Sequence, residues 1–413
     1  MKYLYAEDPE LAEIIAHEAF RIENTLDLIA AENHAPRSIL EAQGSVFSNK
    51  AAEGYSGNRF HAGCKYADEM ESLAVSRAMN LFGAGHANVQ PHSGVSANLA
   101  VYFSVLRPNA KILSMKLSHG GHLSHGDPSS ITSQCFKFRH YGLNPATERI
   151  DYGRVGDLAQ RFNPDMIVAG ASSYSRLIDY ERMAEIAKHS SAYLLVDMAH
   201  IAGLVAAGAI PSPVPHADFV TFTTYKTLRG GRGGVILCKQ EHAKKISRSI
   251  FPGAQGTPSL NLVAAKAVCF KLAMEPEFKE LQRQTLDNAR IFAAELTKKG
   301  YRIVSGGTDN HLVLVDLRPR DLTGDIAEKT LESVGIVVNK NVIPGDPEKP
   351  DVTSGIRIGS PGITARGMGA AEVVQIVELM DTAMMNHRCS QRLSGVSAAV
   401  AKLCKRYPVY PKA

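Results

Sequence analysis

The sequence lacks the cysteine patterns of small metal-bound or disulfide-bonded proteins. Its six cysteines are scattered over 413 residues, with no C-x-x-C pair and no compact framework. These absences argue against a structural zinc site and against a disulfide scaffold, because both require suitably spaced cysteines. We therefore expect reduced, buried thiols.

The sequence also lacks segments that direct proteins into or across membranes. Residues 1–10 carry acidic side chains and have no basic region followed by an apolar one, so no signal peptide is predicted. The most apolar long stretch, residues 192–210, is interrupted by Asp197 and His200 and makes a poor membrane span. We expect a soluble, cytoplasmic protein with no membrane partner.

A large excess of one charge is absent as well. The formal net charge is +5, and the one dense basic cluster is Lys402, Lys405 and Arg406. That cluster is more typical of a solvated helix face than of a nucleic-acid site, so no nucleic-acid partner is predicted. Repeats and the composition of disordered proteins are missing, and the chain is longer than one core usually allows. We predict a globular protein with two domains.

Apolar periodicity predicts a helix near the N-terminus. Leu11, Ile14, Ile15 and Ile22 share one helical face. This face predicts a helical arm, residues 1–35, packed against a larger body.

Beyond the arm, the pattern is that of a parallel sheet covered by helices. From about residue 70, helical patterns alternate with short apolar runs at 110–114, 166–171, 193–196, 219–222 and 234–238. Strands separated by helices are typical of a mostly parallel sheet with both faces covered. We assign this sheet to a large domain of residues 36–280.

The pattern changes after a helical stretch at residues 260–290. Three apolar runs then occur, at residues 301–304, 311–316 and 335–339. A helical pattern at residues 325–333 separates the last two runs. This arrangement predicts a smaller α+β domain over residues 281–413. The predicted fold class is α/β, with a mostly parallel sheet in the large domain.

Polar residues close two of the predicted strands. Asp197 directly follows a buried strand with His200 one helical step beyond it, and Ser172 closes another strand. Ligands bind at the carboxyl ends of parallel strands, which makes these residues site candidates. Taken alone, such a pair is more often a capping aspartate and a buried histidine with satisfied hydrogen bonds than a site.

Lys226 lies among small hydroxyl residues, after a strand and before a glycine-rich turn. Alone it would be interpreted as a surface cation. Together with Asp197 it meets the needs of pyridoxal 5′-phosphate (PLP), which requires an amine, an acid against its pyridine nitrogen and donors for its phosphate. Ser93 and Gly94, at the start of a predicted helix, can supply those donors besides capping the helix.

Three histidines, His119, His122 and His125, follow another strand. Such a group could suggest a metal, but no acidic or cysteine ligand lies at a site-forming spacing, so no metal is predicted. Stacking on a cofactor ring suits His122 better.

These segments resemble serine hydroxymethyltransferase, a PLP-dependent family of fold type I, which is the aspartate aminotransferase-like fold. The resemblance extends over nearly the whole chain and rests on Ala52–Tyr55, Asn88–Gly94, His119–His122, Val196–Ala207, Lys226–Arg229, Ser305–His311, Val338–Asn341 and Thr353–Gly359. The family moves a one-carbon unit between a β-hydroxy amino acid and tetrahydrofolate. The resemblance therefore implies PLP as cofactor and tetrahydrofolate as co-substrate.

The resemblance also implies roles for the cofactor residues. Lys226 would hold PLP as a Schiff base, Asp197 would pair with the protonated ring nitrogen, and His122 would stack on the ring. Ser172 and His200 would contact the phenolic oxygen and nearby groups.

Substrate roles follow in the same way. Arg357 would bind the substrate α-carboxylate through a bidentate pair, although a surface ion pair would explain it without the surrounding motif. Glu53 would be the acid-base group near the substrate hydroxyl, with Tyr55 and His61 beside the substrate.

The resemblance places a folate site and a partner subunit as well. The residues implied for folate are Leu117, Gly121, Leu123 and Asn341. The family is built on a tight dimer whose active sites use residues of both subunits, so a homodimer or homotetramer is implied.

Five departures from the family pattern involve six residues. They are Ala31 for a serine, Ala51 for a tyrosine, Phe60 and His61 for paired tyrosines, Tyr225 for the histidine before the lysine, and Thr257 for a glycine. Tyr225 is assigned to catalysis and Thr257 to cofactor binding. Loss of two polar groups and one aromatic ring creates room near the substrate Cα and the cofactor C4′, which leads to the hypothesis that alanine, as the D form, gives α-methylserine.

Three alternatives remain. The chain could be an ordinary glycine/serine hydroxymethyltransferase with compensating residues, or a folate-independent aldolase of β-hydroxy amino acids. It could also be an inactive paralogue that serves in binding or regulation, although retention of Lys226, Asp197, Glu53 and Arg357 argues against this.

Overall fold

The computed structural model describes residues 2–411. Its α-helices are α1 (Lys2–Glu7), α2 (Pro9–Asn24), α3 (Arg37–Gln43), α4 (Lys65–Phe82), α5 (Gly94–Val105), α6 (Ile131–Cys135), α7 (Tyr152–Phe162), α8 (Tyr180–His189), α9 (Ala202–Ala206), α10 (Ala243–Arg248), α11 (Leu260–Ala273), α12 (Pro276–Lys298), α13 (Gly324–Ser333), α14 (Pro361–Ala365), α15 (Ala370–Met385) and α16 (Ser390–Arg406).

The strands are short and lie between these helices. They are β1 (Leu26–Asp27), β2 (Gly54–Tyr55), β3 (Asn58–Arg59), β4 (His86–Asn88), β5 (Lys111–Met115), β6 (Lys137–Tyr141), β7 (Met166–Gly170), β8 (Tyr193–Asp197), β9 (Phe219–Thr223), β10 (Gly234–Cys238), β11 (Arg302–Ile303), β12 (Leu312–Asp316), β13 (Ile336–Val337), β14 (Asn339–Asn341) and β15 (Gly355–Gly359).

Side-chain caps fix where several helices begin. Asp8, Ser93, Asp151, Asp179 and Thr323 each accept a hydrogen bond from a backbone N–H of the first turn of their helix. Such caps satisfy donors that have no partner inside the helix. The helix starts are therefore encoded locally.

The described residues form two compact units. The large unit comprises residues 35–286 and 308–311, and the small unit comprises residues 2–34, 287–307 and 312–411.

The large unit is organised around a seven-stranded sheet with the order β4-β10-β9-β8-β7-β5-β6. Strands β6, β5, β7, β8 and β9 are parallel, and β10 runs antiparallel to both of its neighbours. All residues of β7, β9 and β10 are buried, as expected of strands covered on both faces. The predicted α/β fold with a mostly parallel sheet is confirmed, and its five predicted strands are each found within one residue of their expected bounds.

The small unit contains a four-stranded antiparallel sheet with the order β11-β12-β15-β14, and β1 pairs in parallel with β13. Its core is made of side chains from both sheets and from α12, α13, α15 and α16. The run predicted at 335–339 is divided between β13 and β14, and β15 was not predicted as a strand.

Two of the predicted helical regions differ in detail from the prediction. The helical stretch predicted at 260–290 is two helices, because α12 begins at Pro276, whose ring cannot continue a preceding helix. Helix α2 exists, but Leu11, Ile14 and Ile15 are 43%, 58% and 40% exposed. In a single chain the helix is buried at Ala12 rather than along the predicted face.

One guanidinium joins the C-terminal ends of α2 and α16. Arg366 donates to the carbonyl oxygens of Glu23 (3.0 Å), Thr25 (2.7 Å), Cys404 (3.0 Å) and Tyr407 (2.6 Å). A cation at two helix C-termini satisfies terminal carbonyls and interacts favourably with both helix dipoles.

Candidate functional site

Three neighbouring strands of the large unit end at the same edge of the sheet. Gly170 of β7 is in register with Asp197 of β8, and Asp197 is in register with Thr221 of β9. Ser172, two residues after β7, donates from its backbone N–H to the Gly120 oxygen at 2.7 Å. The polar residues predicted to close these strands therefore meet at one edge.

Asp197 is held by hydrogen bonds from two distant segments. Its Oδ2 accepts from Asn98 Nδ2 at 2.8 Å and lies 3.0 Å from His125 Nε2, while its Oδ1 accepts from the Ala199 backbone N–H at 3.0 Å. Asn98 is fixed in turn, since its Oδ1 accepts from Thr221 Oγ1 at 2.6 Å. The carboxylate thus has a defined orientation in the chain alone.

These contacts determine the charge of Asp197. Burial opposes ionisation, but the hydrogen bond from His125, with help from that of Asn98, outweighs it and holds the pKa of this carboxyl below its ordinary value. Asp197 is therefore an anion at neutral pH. A buried anion of this kind can stabilise a positive charge placed against it.

The backbone fixes the proton positions of two histidines. The His122 backbone N–H lies 3.4 Å from His125 Nδ1, and the Ser124 backbone N–H donates to His122 Nδ1 at 3.2 Å. A backbone N–H can only donate, so both Nδ1 atoms are acceptors and the ring protons lie on Nε2. His125 therefore donates to Asp197. Burial is the main cause that lowers the pKa of His122, to about 4, so its ring is neutral.

We call Asp197, Asn98, Ser124, His125 and His122 the strand-end cluster. Ser124 links its members, because its hydroxyl lies 2.8 Å from His122 Nδ1 and accepts from Asn98 Nδ2 at 3.0 Å. The cluster is a connected polar network in which each side chain orients the next.

Lys226 is buried in the loop after β9, and the next residue fastens that loop. Thr227 Oγ1 accepts from the Gly203 backbone N–H at 3.0 Å and donates to the His200 oxygen at 2.9 Å. The Thr227 oxygen accepts from Gln282 Nε2 at 2.8 Å. A Cβ on Gly203 would lie 2.3 Å from the Thr227 oxygen, so this close approach requires glycine.

His200 contacts the same loop, because its backbone oxygen accepts from Thr227 Oγ1, and its ring contacts a second imidazole. His200 Nδ1 is 3.3 Å from His311 Nε2, and the two rings are stacked with centroids 5.5 Å apart. Both rings are buried.

Ser93 and Gly94 form the N-terminus of α5. Ser93 Oγ accepts from the Ser96 backbone N–H at 3.2 Å, which confirms the predicted cap. A Cβ on Gly94 would lie 2.8 Å from Thr223 Cγ2, so α5 approaches the end of β9 closely. Thr223 Oγ1 is buried and, among residues 2–411, has no hydrogen-bond partner. An unsatisfied hydroxyl beside a helix N-terminus is suited to a bound anion.

The large unit also contains three of the residues predicted for folate. Gly121 donates to the Lys116 oxygen at 3.0 Å, and a Cβ at Gly121 would lie 2.3 Å from the Met115 oxygen. Leu117 and Leu123 flank this turn and are 43% and 51% exposed. Two exposed leucines beside the strand-end cluster provide an apolar surface for a ligand.

Glu53 lies outside the sheet, in the segment of residues 51–61, which we call the Glu53 segment. Arg59 holds the backbone on both sides of Glu53, because its Nη1 donates to the oxygens of Ala52 (2.9 Å) and Gly54 (2.8 Å). Arg59 Nη2 is paired with Glu71 Oε2 at 2.6 Å, and both side chains are only 4% exposed. A buried ion pair thus sets the position of Glu53.

The other members of the Glu53 segment point in different directions. His61 is exposed, and its Nδ1 lies 3.4 Å from the Glu53 backbone N–H. Tyr55 Oη donates to the Ser247 oxygen at 2.6 Å and accepts from Asn88 Nδ2, and burial raises its pKa to about 12. Within the described chain, no hydrogen bond joins Glu53, Tyr55 or His61 to the strand-end cluster.

The segment that contains Thr257 lies against Glu53. A Cβ on Gly256 would lie 3.2 Å from Glu53 Oε1. Gln255 connects this segment to the start of α5, since its Oε1 accepts from the His92 backbone N–H and its Nε2 donates to the Gln90 oxygen, both at 3.0 Å. Thr257 is therefore a neighbour of both Glu53 and the α5 N-terminus.

Tyr225 precedes Lys226 and is half-buried under a cation. The guanidinium of Arg232 lies 4.4 Å from the centroid of its ring. This contact is a cation–π interaction that holds the phenol in place.

Two predicted site residues belong to the small unit. Arg357 lies on β15, and its Nε donates to Asn339 Oδ1 at 3.1 Å; burial lowers its pKa to about 10. Asn341 lies on β14, in register with Gly355, and its Nδ2 donates to the Val342 oxygen at 2.7 Å. Arg357 remains a cation at neutral pH despite its desolvation.

Several residues with structural importance had no predicted role. Asn98 is one helical turn after Gly94, and His125 belongs to the histidine run, so both lie in segments that the sequence had marked. Arg59 and Glu71 gave no such signal, because a charged pair twelve residues apart is usually solvent-exposed.

The residues of the large unit fit PLP. They provide an ionised carboxylate at Asp197, a buried amine at Lys226, and an α5 N-terminus with the unsatisfied Thr223 hydroxyl beside it. These are the acid, amine and phosphate donors that the cofactor needs.

Comparison with known families identifies a match that covers most of the chain. The family model described as serine hydroxymethyltransferase matches residues 4–380. The match includes every residue predicted for the site. No helix between residues 2 and 411 is both long and apolar enough to cross a membrane.

Proposed function

Because this chain belongs to the serine hydroxymethyltransferase family, we propose that it transfers a hydroxymethyl group between tetrahydrofolate and D-alanine, with α-methylserine as the hydroxymethylated amino acid. The family consists of PLP-dependent transferases of fold type I with tetrahydrofolate as co-substrate. The cofactor, the co-substrate and the reaction class therefore follow from the family. The choice of amino acid is our proposal.

The position of the altered residues around Glu53 carries this proposal. Ala51 and His61 belong to the Glu53 segment, and Thr257 follows Gly256, whose Cβ position lies 3.2 Å from Glu53 Oε1. Residues that differ from the family pattern thus adjoin the residue proposed to act at the substrate hydroxyl. A change of selectivity with retained chemistry is the expected result of such a distribution.

A methyl group on the substrate Cα is rejected mainly by steric clash. A pocket shaped for glycine leaves no space for that methyl group, so removal of nearby side chains is the direct way to accept it. Alanine at positions 31 and 51 removes a hydroxyl and a phenol ring relative to the family pattern. Both changes favour the bulkier amino acid.

The residues of the strand-end cluster are proposed to bind and polarise the cofactor. PLP, when bound, supplies an electron-poor ring that stabilises negative charge on the substrate Cα. Asp197, kept anionic by His125, holds a proton at the pyridine nitrogen, and the neutral His122 ring packs against the cofactor face. Lys226 Nζ is the proposed attachment point.

Other large-unit residues are proposed to complete the cofactor and folate sites. Ser93, Gly94 and Thr257 would bind the phosphate, and Ser172 and His200 the phenolic oxygen. Tyr225 would assist proton transfer beside Lys226. The proposed folate residues are Leu117, Gly121, Leu123 and Asn341.

Arg357 and Glu53 are proposed to act on the amino acid. Arg357 is a desolvated cation, and a carboxylate bound in bidentate geometry would offset the cost of that desolvation. Glu53 would move a proton at the substrate hydroxyl, with Tyr55 and His61 beside it.

Turnover of paired substrates tests the choice of amino acid. Purified protein with PLP and tetrahydrofolate should convert α-methylserine faster than serine, and D-alanine should be preferred to glycine in the reverse direction. Omission of tetrahydrofolate should stop the reaction with α-methylserine. A clear preference for serine and glycine would overturn the proposal.

One observation favours ordinary glycine/serine transfer as the second candidate. His61 lies 3.4 Å from the Glu53 backbone N–H through its Nδ1, so it supports Glu53 as a compensating residue could. The same turnover experiment separates the two candidates.

We also propose a homodimer or homotetramer in the cytoplasm. Several large apolar side chains are exposed in the single chain, among them Val46 (81%), Phe60 (75%) and Tyr66 (67%) in the large unit. Where such side chains form a continuous surface, that surface is typical of a protein–protein interface. All six cysteines are free thiols, which suits a reducing compartment. Light scattering on the purified protein should give at least twice the mass of 44.6 kDa.

The domain division is part of the proposal. It comprises an N-terminal arm (1–35), a large PLP-binding domain (36–280) and a small domain (281–413). Support comes from the boundaries between the compact units, which lie at residues 34/35 and 286/287.

A further inference from the structure

Lys266 is a buried cation whose hydrogen bonds all go to backbone oxygens. It lies on α11 and is 1% exposed. Its Nζ donates to the oxygens of Val89 (2.6 Å), Pro91 (3.0 Å) and Gly234 (2.9 Å). An ammonium group has three N–H donors, so these oxygens use all of them. Within residues 2–411 Lys266 forms no ion pair.

The three oxygens belong to the two segments that frame the α5 N-terminus. Val89 and Pro91 lead from β4 to Ser93, and Gly234 begins β10. These segments are in direct contact, because the Gly234 backbone N–H donates to the Pro91 oxygen at 3.0 Å. A Cβ on Gly234 would lie 2.1 Å from the Ser93 oxygen. Lys266 thus bridges β10 and the turn before α5 from the inside.

The aliphatic stem of the Lys266 side chain is also closely packed, against Gly233. A Cβ on Gly233 would lie 2.2 Å from Lys266 Cε. The Gly233 oxygen accepts from the Thr224 backbone N–H at 3.3 Å, and Thr224 is two residues before Lys226. Methionine in place of Lys266 would keep most of this packing of the stem on the lysine side of the proposed cofactor site and would remove the ammonium group.

The charge of Lys266 acts on the same turn. Burial, followed by the Lys266 charge, lowers the pKa of His92, the residue just before Ser93. Burial also lowers the pKa of Lys266 itself to about 7, while the charge of Glu71 acts in the opposite direction. An anion bound at the α5 N-terminus would add counter-charge to the ammonium.

We propose that Lys266 is a positioning residue for the cofactor phosphate. Its ammonium holds the Ser93–Gly94 turn against β10, so that the backbone donors of α5 face the phosphate, and its buried charge favours a dianion there without touching it. This inference rests on the proposed function, since the phosphate concerned is that of PLP.

Cofactor selectivity tests this role separately from folding. Dissociation constants of PLP and of pyridoxal, which lacks the phosphate, are measured by absorbance on the full-length apoprotein. Lys266→Met should weaken PLP binding about tenfold or more and leave pyridoxal binding nearly unchanged, because only the phosphate senses the lost charge and turn geometry. The matched control is Lys271→Met, at an exposed position of the same helix, which should change neither constant.

A second variant covers the risk of misfolding. If Lys266→Met is unfolded by circular dichroism, Lys266→Gln, which keeps two donors, should show the same phosphate-selective loss at smaller size. An unchanged ratio of the two dissociation constants in a folded variant would overturn the inference. Failure of the wild-type protein to bind PLP at all would instead overturn the assignment of the cofactor site.

Discussion

The strand-end cluster is built from the ends of sheet strands and the helix beside them, whereas the Glu53 segment lies outside the sheet and depends on side chains to hold its backbone. In the cluster, Asp197 is fixed by its register with Gly170 and Thr221 and by partners that are themselves buried. In the Glu53 segment, the ion pair of Arg59 with Glu71 holds the backbone on both sides of Glu53, and His61 is exposed.

The two regions also differ in how closely they follow the family pattern. His122 and Asp197 of the cluster lie in segments that match it, while Ala51, Phe60 and His61 of the Glu53 segment depart from it. Side chains locked into a sheet cannot change without loss of the whole network, but an exposed segment can change one residue at a time. From this contrast we expect that the sheet conserves the reaction type and that selectivity can vary in the segment outside it.

The largest effect is expected at Lys226. Lys226→Gln removes the amine and keeps a similar volume, so covalent attachment and turnover should both be lost. The wild-type protein should show a visible absorbance band with PLP that shifts on addition of amino acids, and the variant should show neither band nor turnover. Retained turnover would show that the reaction does not require Lys226. The contrast drawn between the two regions would then not hold.

The next largest effect is expected at the centre of the cluster. Asp197→Asn removes the anion proposed to face the pyridine nitrogen and should lower kcat about 10³-fold, as loss of a preorganised charge does. PLP should still bind, because the phosphate donors and Lys226 are intact. The measurement is kcat together with the PLP dissociation constant. A kcat within tenfold of the wild type would contradict the role of Asp197.

Acid stability sharpens the contrast at His122. Its folded-state pKa of about 4 lies below the ordinary 6.5, so the unfolded chain binds more protons between these values and stability is lost as the pH falls through this window. Over that window the loss amounts to about 3 kcal/mol. His122→Phe should remove this part of the pH dependence in urea unfolding of the apoprotein at pH 7 and pH 4. Equal losses in both proteins would contradict it.

A smaller effect is expected in the Glu53 segment. Glu71→Gln weakens the hold of Arg59 on the backbone around Glu53, so kcat should fall roughly 30-fold through misplacement of that carboxyl. PLP affinity should not change, because the cluster does not depend on Arg59. Glu69→Gln, at an exposed position of α4, is the control. A loss of PLP affinity equal to the loss of kcat would show that the two regions are not separable.

The smallest effect is expected when family residues are restored. The double variant Ala51→Tyr with His61→Tyr should change the ratio of kcat/KM for α-methylserine over serine by about tenfold in favour of serine, through contact with the added methyl group. The comparison uses both substrates on both proteins. An unchanged ratio would assign selectivity to Ala31, Tyr225 or Thr257 instead.

The sheet and its strand-end residues were predictable because their signals are local. Each buried strand is a short apolar run bounded by turn residues, and Asp197 stands at the end of one such run. The cap at Ser93 is likewise visible in a few residues.

The partners of these residues were not predictable in the same way. Asn98 and His125 lie 99 and 72 positions from Asp197, and periodicity contains no information on such contacts. Lys266 was missed because a lysine within an apolar helix is normally expected to reach solvent. The apolar face of α2 was visible, but a single sequence does not say whether that face meets the same chain or another.

The Arg366 contacts have a consequence for how much of the chain can be shortened. The family match ends at residue 380, yet Cys404 and Tyr407 share one guanidinium with Glu23 and Thr25. Trimming the protein to its matched region would expose the apolar side of α15 and leave a buried cation short of acceptors. Helix α16 is thus an integral piece of the small unit, and expression of a version without it should yield aggregated material.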